Sequence, residues 1–175
     1  DLRLAMNNMG YMNARVVFST KVRGKKLKAI YTLAPGEPFM IDHFAYDIQD
    51  SVIADILKPT LSQGINTNRP YQFTVAALDN ERKRITKILN DQGYYRFNKD
   101  YIYYTADSIR GSRSVDVTLH LTKYRTTDTA TPTLHPRYMI GSVNIIPGDS
   151  TGLHLRRSII ADNTLIEPGK YFSGT

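Results

Sequence analysis

Apolar residues recur along the chain with two different periods, and the switch between them happens twice in the same order. Val115, Val117, Leu119 and Leu121 alternate with Asp116, Thr118 and His120. That period of two predicts a strand in a sheet covered on one side only. A second β-like segment, residues 100–108, precedes it. An earlier pair, residues 15–22 and 27–33, has the same character, with Val16, Phe18, Thr20 and Val22 on one face. Each pair follows a Gly-Tyr step, Gly10-Tyr11 in the first case and Gly93-Tyr94, 83 residues later, in the second. Helical periodicity comes before each step. Residues 75–92 carry the longer stretch, with Val75, Leu78, Ile85, Ile88 and Leu89 as an apolar stripe. Thr74 suits the N-cap, Gly93 suits the left-handed end, and Asp79 and Lys83 are spaced for an exposed ion pair. Leu2, Met6 and Met9 read as the last turns of the counterpart helix.

The repeat extends further. Residues 39–48 and 138–146 each predict a strand, and a short helical pattern follows each, residues 51–57 and 155–161. Loops at residues 64–71 and 165–171 then resemble one another. Ile41 to Tyr71 spans 30 positions and Met139 to Tyr171 spans 32. The pattern therefore predicts an α+β fold built from a β-α-α-β-β unit. Residues 1–36 form the C-terminal part of one unit, residues 37–125 a complete unit, and residues 137–175 the N-terminal part of the next. Residues 126–136, rich in Thr and Pro, read as an exposed linker.

Charge adds a question. The net charge is +7, and residues 1–36 alone carry seven Lys/Arg against one acid. Arg15, Lys21, Arg23, Lys25, Lys26 and Lys28 flank Gly24 in an expected hairpin. Such a basic patch keeps strand edges soluble; it also suits a nucleic acid, an acidic protein or anionic lipid head groups. Tyr101, Tyr103 and Tyr104, with Arg110 and Arg113 after them, fit three readings: ordinary half-buried strand chemistry, a peptide-binding edge, or stacking of single-stranded bases.

Chemistry is harder to find. Cysteine is absent, which excludes disulfides, thiolate metal sites and a cysteine nucleophile. No apolar run exceeds four residues, so no transmembrane helix is expected. The first residues lack the pattern of a signal peptide and read as helix already under way, as in a piece of a longer chain. His43, His120, His135 and His154 show no helical metal-site spacing. There is no phosphate loop, nucleophile elbow or His-Glu-x-x-His. Asp79 and Glu81 read as a solvated helix face. The expectation is a protein without catalysis, metal or cofactor.

The ordered set of elements resembles tandem POTRA domains of the BamA/TamA family of outer-membrane assembly factors. Leu78-Asp79-Asn80-Glu81-Arg82-Lys83-Arg84-Ile85, then Ile88-Leu89 and Gly93-Tyr94-Tyr95-Arg96-Phe97, looks like a second POTRA helix and the Gly-Tyr entering its second strand. Tyr31-Thr32-Leu33-Ala34-Pro35-Gly36-Glu37-Pro38-Phe39-Met40-Ile41 looks like the junction between units. Ile166-Glu167-Pro168-Gly169-Lys170-Tyr171-Phe172 looks like the loop before a second helix. The resemblance implies small three-stranded sheets, each covered on one face by two helices. It implies a place on the periplasmic face of the bacterial outer membrane and no catalysis. Its implied partners are unfolded outer-membrane clients, accessory lipoproteins and a C-terminal β-barrel in the full-length protein, with no nucleic acid.

In the family the second strand is the exposed edge, which takes up a partner strand by β-augmentation. Here that implies Val16, Phe18 and Thr20 in one copy and Tyr101, Tyr103 and Thr105 in the other. The incomplete units also suggest head-to-tail self-association. Val16, Phe18, Ala29, Tyr31 and Leu33 would meet Met139, Val143, Ile145, Ile159 and Ile160 of a second molecule.

Overall fold

The computed structural model describes residues 1–108, 111–144, 164 and 166–173. The chain divides into two compact units: Asp1–Ile85 with Lys99–Thr122, and Thr86–Asn98 with Lys123–Thr175. Arg110, His154, Ile145, Ile159, Ile160 and the expected helix at residues 155–161 lie outside the described residues.

The first unit opens with helix α1 (Leu2–Asn8) and the hairpin β1 (Arg15–Arg23) and β2 (Lys26–Ala34). Arg23 faces Lys26, so the turn has two central residues, and Gly24 takes φ +59° at the first of them. That is the position at which a type II′ hairpin turn calls for glycine. The pairing sets Val16 opposite Leu33, Phe18 opposite Tyr31, Thr20 opposite Ala29 and Val22 opposite Leu27. This makes one nearly continuous apolar face, and it is open. Phe18 and Tyr31 are each 55% exposed, although their rings lie 4.9 Å apart.

The complete β-α-α-β-β unit follows. It consists of β3 (Met40–Asp47), α2 (Ser51–Leu57), a 3-10 turn at Lys58–Gln63, β4 (Tyr71–Gln72), α3 (Val75–Asp91), β5 (Ile102–Ser108) and β6 (Ser114–Leu121). The sheet order is β4-β3-β6-β5, with β3 and β6 parallel and the other pairs antiparallel. The expected three strands are present, and two-residue β4 adds a short fourth beside β3. Asp50 caps α2 through the amides of Val52 and Ile53, and Thr74 caps α3 through Ala77. Ile41, Ile65, Val115 and Val117 form a core joined by Phe39, Phe44, Tyr71, Phe73, Leu78 and Tyr104. Ile53, Leu57, Ile85 and Leu119 are fully buried.

The face of α3 differs from the expected stripe in two places. Val75 is exposed, and the buried positions step by four through Ala77, Glu81, Ile85 and Leu89. Glu81, expected in water, is only 3% exposed. Its carboxylate accepts from Tyr46 Oη at 2.8 Å and from Arg84 at 2.6 and 2.9 Å. Arg84 also donates to the Thr60 carbonyl at 3.1 Å. A buried carboxylate persists where it is paired and hydrogen-bonded on this scale. Burial beside Glu81 drives the Tyr46 phenol well above its ordinary pKa. The loop passes so close that a Cβ on Gly64 would lie 2.5 Å from Tyr46 Oη and 2.7 Å from Glu81 Oε1. Asp79 keeps its expected exposed partner, Lys83, at 2.7 Å.

The Gly-Tyr steps are structural equivalents. Gly10 N–H donates to Asn7 O and Tyr11 N–H to Met6 O; Gly93 N–H donates to Asn90 O and Tyr94 N–H to Leu89 O. This is the Schellman pattern, with glycine at φ +89° and +95°. Within the first unit the Gly10 carbonyl then accepts from Phe39 N–H at 2.8 Å, and the Phe39 carbonyl accepts from Phe73 N–H at 2.9 Å. Within the second unit the Gly93 carbonyl accepts from Tyr138 N–H at 2.7 Å, and the Tyr138 carbonyl accepts from Phe172 N–H at 3.0 Å. The true correspondence is therefore Phe39 with Tyr138 and Phe73 with Phe172; Phe39 to Phe73 and Tyr138 to Phe172 each span 34 positions. This corrects the alignment of Ile41 with Met139.

The carbonyl before each glycine is also capped, by a different side chain in each unit. Gln72 Nε2 donates to Met9 O at 2.7 Å, and Arg137 Nε donates to Gln92 O at 2.6 Å. Arg137 lies against the Tyr171 ring as well, 3.4 Å from its centroid.

The second unit departs from expectation in its strand. Among residues 138–144 only Met139 makes a β-bridge, with Tyr171, where a full strand was expected. Among the described residues no neighbouring strand lies there to extend a ladder, whereas β3 has β6 along its length. Residues 126–134 of the expected exposed linker are exposed apart from half-buried Ala130, and at the base of this segment Tyr124 and Thr133 exchange main-chain bonds at 3.0 and 2.9 Å. His135 is buried beside Phe97 and Tyr124, with ring centroids 4.9 and 6.0 Å away.

Candidate functional site

β5 is paired on one side, with β6, and lies at the edge of its sheet among the described residues. Thr122 N–H donates to Tyr101 O at 2.8 Å, which marks Tyr101 and Thr122 as a hydrogen-bonded pair. Such pairs alternate along an antiparallel ladder. The register from Ile102–Leu121 to Ser108–Val115 has no break, so Tyr103, Thr105 and Asp107 also turn their main-chain groups to β6. The main-chain groups of Ile102, Tyr104 and Ala106 consequently face outward, away from the sheet.

Side chains follow the opposite division. Ile102 is buried and Tyr104 half-buried on the core side. Tyr104 Oη donates to the Leu78 carbonyl at 2.9 Å, and Arg82 lies 5.1 Å from its ring. Burial raises the Tyr104 pKa well above its ordinary value. Tyr103, Thr105 and Asp107 belong to the open face. There they continue rows across the three strands: Asp47, His120 and Tyr103; Ala45, Thr118 and Thr105; His43, Asp116 and Asp107.

His120 ties the first row to the second by hydrogen bonds. His120 Nδ1 lies 3.0 Å from Asp47 and its Nε2 lies 2.9 Å from Thr105 Oγ1. Tyr103 stacks on the imidazole at 4.9 Å, with the rings inclined by 18°. In the last row His43 Nδ1 meets Asp116 at 2.9 Å and Asp42 at 3.6 Å, and hydrogen bonding to Asp116 raises the His43 pKa. Asp42, His43 and Asp116 bring three potential metal donors within 4.8 Å of one another. All three are exposed, and a surface ion pair accounts for the arrangement.

The sequence-derived residues thus separate. Tyr103 and Thr105 lie on the edge strand, whereas Tyr101, expected within a strand starting at residue 100, ends the 3-10 turn Lys99–Tyr101 just before it; the outward donors and acceptors belong to Ile102, Tyr104 and Ala106, which sequence reasoning missed. Tyr103 and Tyr104 fall on opposite faces and do not form one stacking platform. β3, β5 and β6 contain four Asp and no Lys or Arg. Arg113 lies just outside β6, paired with Glu37.

Val16, Phe18 and Thr20 share the open face of the hairpin. The basic patch of Lys21, Arg23, Lys25, Lys26 and Lys28 surrounds its turn. Lys21 stands opposite Lys28 and Arg23 opposite Lys26. Like charges in direct register oppose one another.

No protein-family model and no curated protein matches the chain. Among solved structures it is similar to POTRA3-5 of Haemophilus influenzae BamA, at 11% identity and a TM-score of 0.48. That match covers 97% of this chain and 59% of the other. It is also similar to Haemophilus ducreyi BamA lacking POTRA domains 1-3, at 12% identity and a TM-score of 0.39, over 66% of this chain and 20% of the other. The chain thus spans less than two thirds of the length of either structure.

Proposed function

We propose that the chain is a non-enzymatic interaction module of an outer-membrane protein assembly or translocation factor, working on the periplasmic side. Residues 37–125 are its complete POTRA-like unit, and its partners are extended segments of unfolded clients or accessory lipoproteins. In a full-length parent it would precede a β-barrel. The observation that carries this reading is the edge strand β5, with the outward main-chain groups of Ile102, Tyr104 and Ala106. An extended partner strand would satisfy them by β-augmentation. Main-chain bonds are indifferent to sequence, which suits a partner set of many different chains. A nucleic-acid role draws no support from β5, whose sheet strands carry no cation.

The test is an NMR titration with a peptide copied from a β-strand of an outer-membrane protein. Amide shifts centred on Ile102, Tyr104 and Ala106 are expected, and Ala106→Pro should abolish them, because it deletes an outward N–H at an edge that tolerates proline. Unchanged binding by that variant would overturn the reading. The open apolar face of the hairpin supports a second proposal, head-to-tail self-association. A strictly monomeric 19.9 kDa species by light scattering at millimolar concentration would overturn it.

A further inference from the structure

The chain holds 23 Lys/Arg against 16 Asp/Glu, yet β3, β5 and β6 carry Asp42, Asp47, Asp107 and Asp116 with no Lys or Arg. Asp107 ends the open face of the edge strand, and its neighbour across the ladder is another acid, Asp116. Asp116 is engaged by His43, whereas Asp107 is exposed and has no ion-pair partner among the described residues. Two carboxylates in direct register oppose one another unless a cation joins them. The position next in that row is the one an added strand would occupy.

Resting on the augmentation reading above, we propose that the β5 edge selects its partner by charge. It takes an extended segment with Lys or Arg on the side chain facing Asp107, and it rejects an acidic one.

The backbone geometry makes that position sensitive. An antiparallel partner would bond to the main chain of Ile102, Tyr104 and Ala106. Tyr103, Thr105 and Asp107 would then stand in the non-hydrogen-bonded pairs, where opposed Cα atoms approach to about 4.5 Å and side chains are closest. A cation in the pair with Asp107 would meet Asp107 directly, with Asp116 one strand beyond. An acid there would add a third negative charge to the row. Rejection of the wrong charge is as much a source of selectivity as attraction of the right one.

Three peptides of about ten residues, sharing one alternating Thr/Val scaffold, test the proposal. They carry Lys, Gln or Glu at three alternate positions of one face. A fourth is the Lys peptide N-methylated along its bonding edge, which keeps the charge and cannot add as a strand. Binding to the full chain is read by NMR at low and at high salt. We expect the Lys peptide to bind about tenfold more tightly than the Glu peptide at low salt, with the ratio shrinking as salt rises. Asp107→Asn should reduce that ratio while the Gln peptide binds as before. N-methylation and Ala106→Pro should each abolish binding, with the amide signals of β3 and β6 unmoved in the variant.

Equal binding of the Lys and Glu peptides, lost on N-methylation, would overturn charge selection and leave augmentation standing. A ratio unchanged by Asp107→Asn would likewise overturn it. Full binding of the N-methylated Lys peptide would overturn the augmentation reading and this proposal with it. So would the absence of binding by any of the peptides at millimolar concentration.

Discussion

The β1–β2 hairpin and the β5–β6 pair occupy equivalent places after two equivalent Gly-Tyr steps, yet they meet opposite surroundings. In the β5–β6 pair, Val115, Val117 and Leu119 are at most 3% exposed. In the hairpin, Val22 is 69% and Leu27 65% exposed. Alternation is present in both. What differs is the rest of the unit: β6 has β3 along its second edge and buried residues of α2 and α3 in the same fold, and β2 has no third strand among the described residues. Period two in a sequence states which residues share a face. Whether that face is buried depends on elements far away in the chain.

That contrast should be largest in stability. Glu81→Ala removes one partner of a buried ion pair that has no counterpart beside the hairpin among the described residues. It should cost about 3–5 kcal/mol in urea unfolding, and Tyr46→Phe, which removes one hydrogen bond, about 1 kcal/mol. The Tyr46 hydroxyl adds a pH signature. Its folded pKa is raised, so above about pH 10 the unfolded chain releases this proton first and stability should fall, less so in the Phe variant.

Truncating matched apolar residues sharpens the same comparison. Leu119→Ala should cost about 2–5 kcal/mol. Phe18→Ala, at an open position, should stay within about 0.5 kcal/mol. Similar losses at both would mean that something covers the hairpin in solution.

The two glycine steps should also separate. Alanine at either carries the left-handed penalty of about 1–2 kcal/mol. At Gly10 its Cβ would lie 2.5 Å from the Phe73 carbonyl oxygen, against 3.0 Å from that of Tyr138 at Gly93. Gly10→Ala should therefore lower the thermal midpoint more than Gly93→Ala.

The smallest effect concerns the open face. His43 should titrate above its ordinary value by NMR, and Asp116→Asn should bring it back toward that value. Since the folded pKa is raised, whatever stability this pair adds is present at low pH and lost as pH rises through it.

Much of this architecture was legible in residues 75–125. The alternation at 115–121, the Thr74 cap and the glycine at 93 each follow from a local rule, and the offset of 83 between the Gly-Tyr steps is reproduced bond for bond. The partners of Glu81 were not legible, because Tyr46 lies on another strand and the helix face looks charged throughout. The pairing of His43 with Asp116 depends on a parallel register across 73 residues. The outward direction of the Ile102, Tyr104 and Ala106 main chain depends on which ladder pair is hydrogen-bonded, and side-chain pattern carries no trace of that choice.

One more consequence attaches to the glycine steps. The bonds that fix Phe39 to Gly10 and Tyr138 to Gly93 are made by main chain, and the neighbouring carbonyl is held by a glutamine in one case and an arginine in the other. The connector is specified by the path of the chain, and the side chains around it are replaceable.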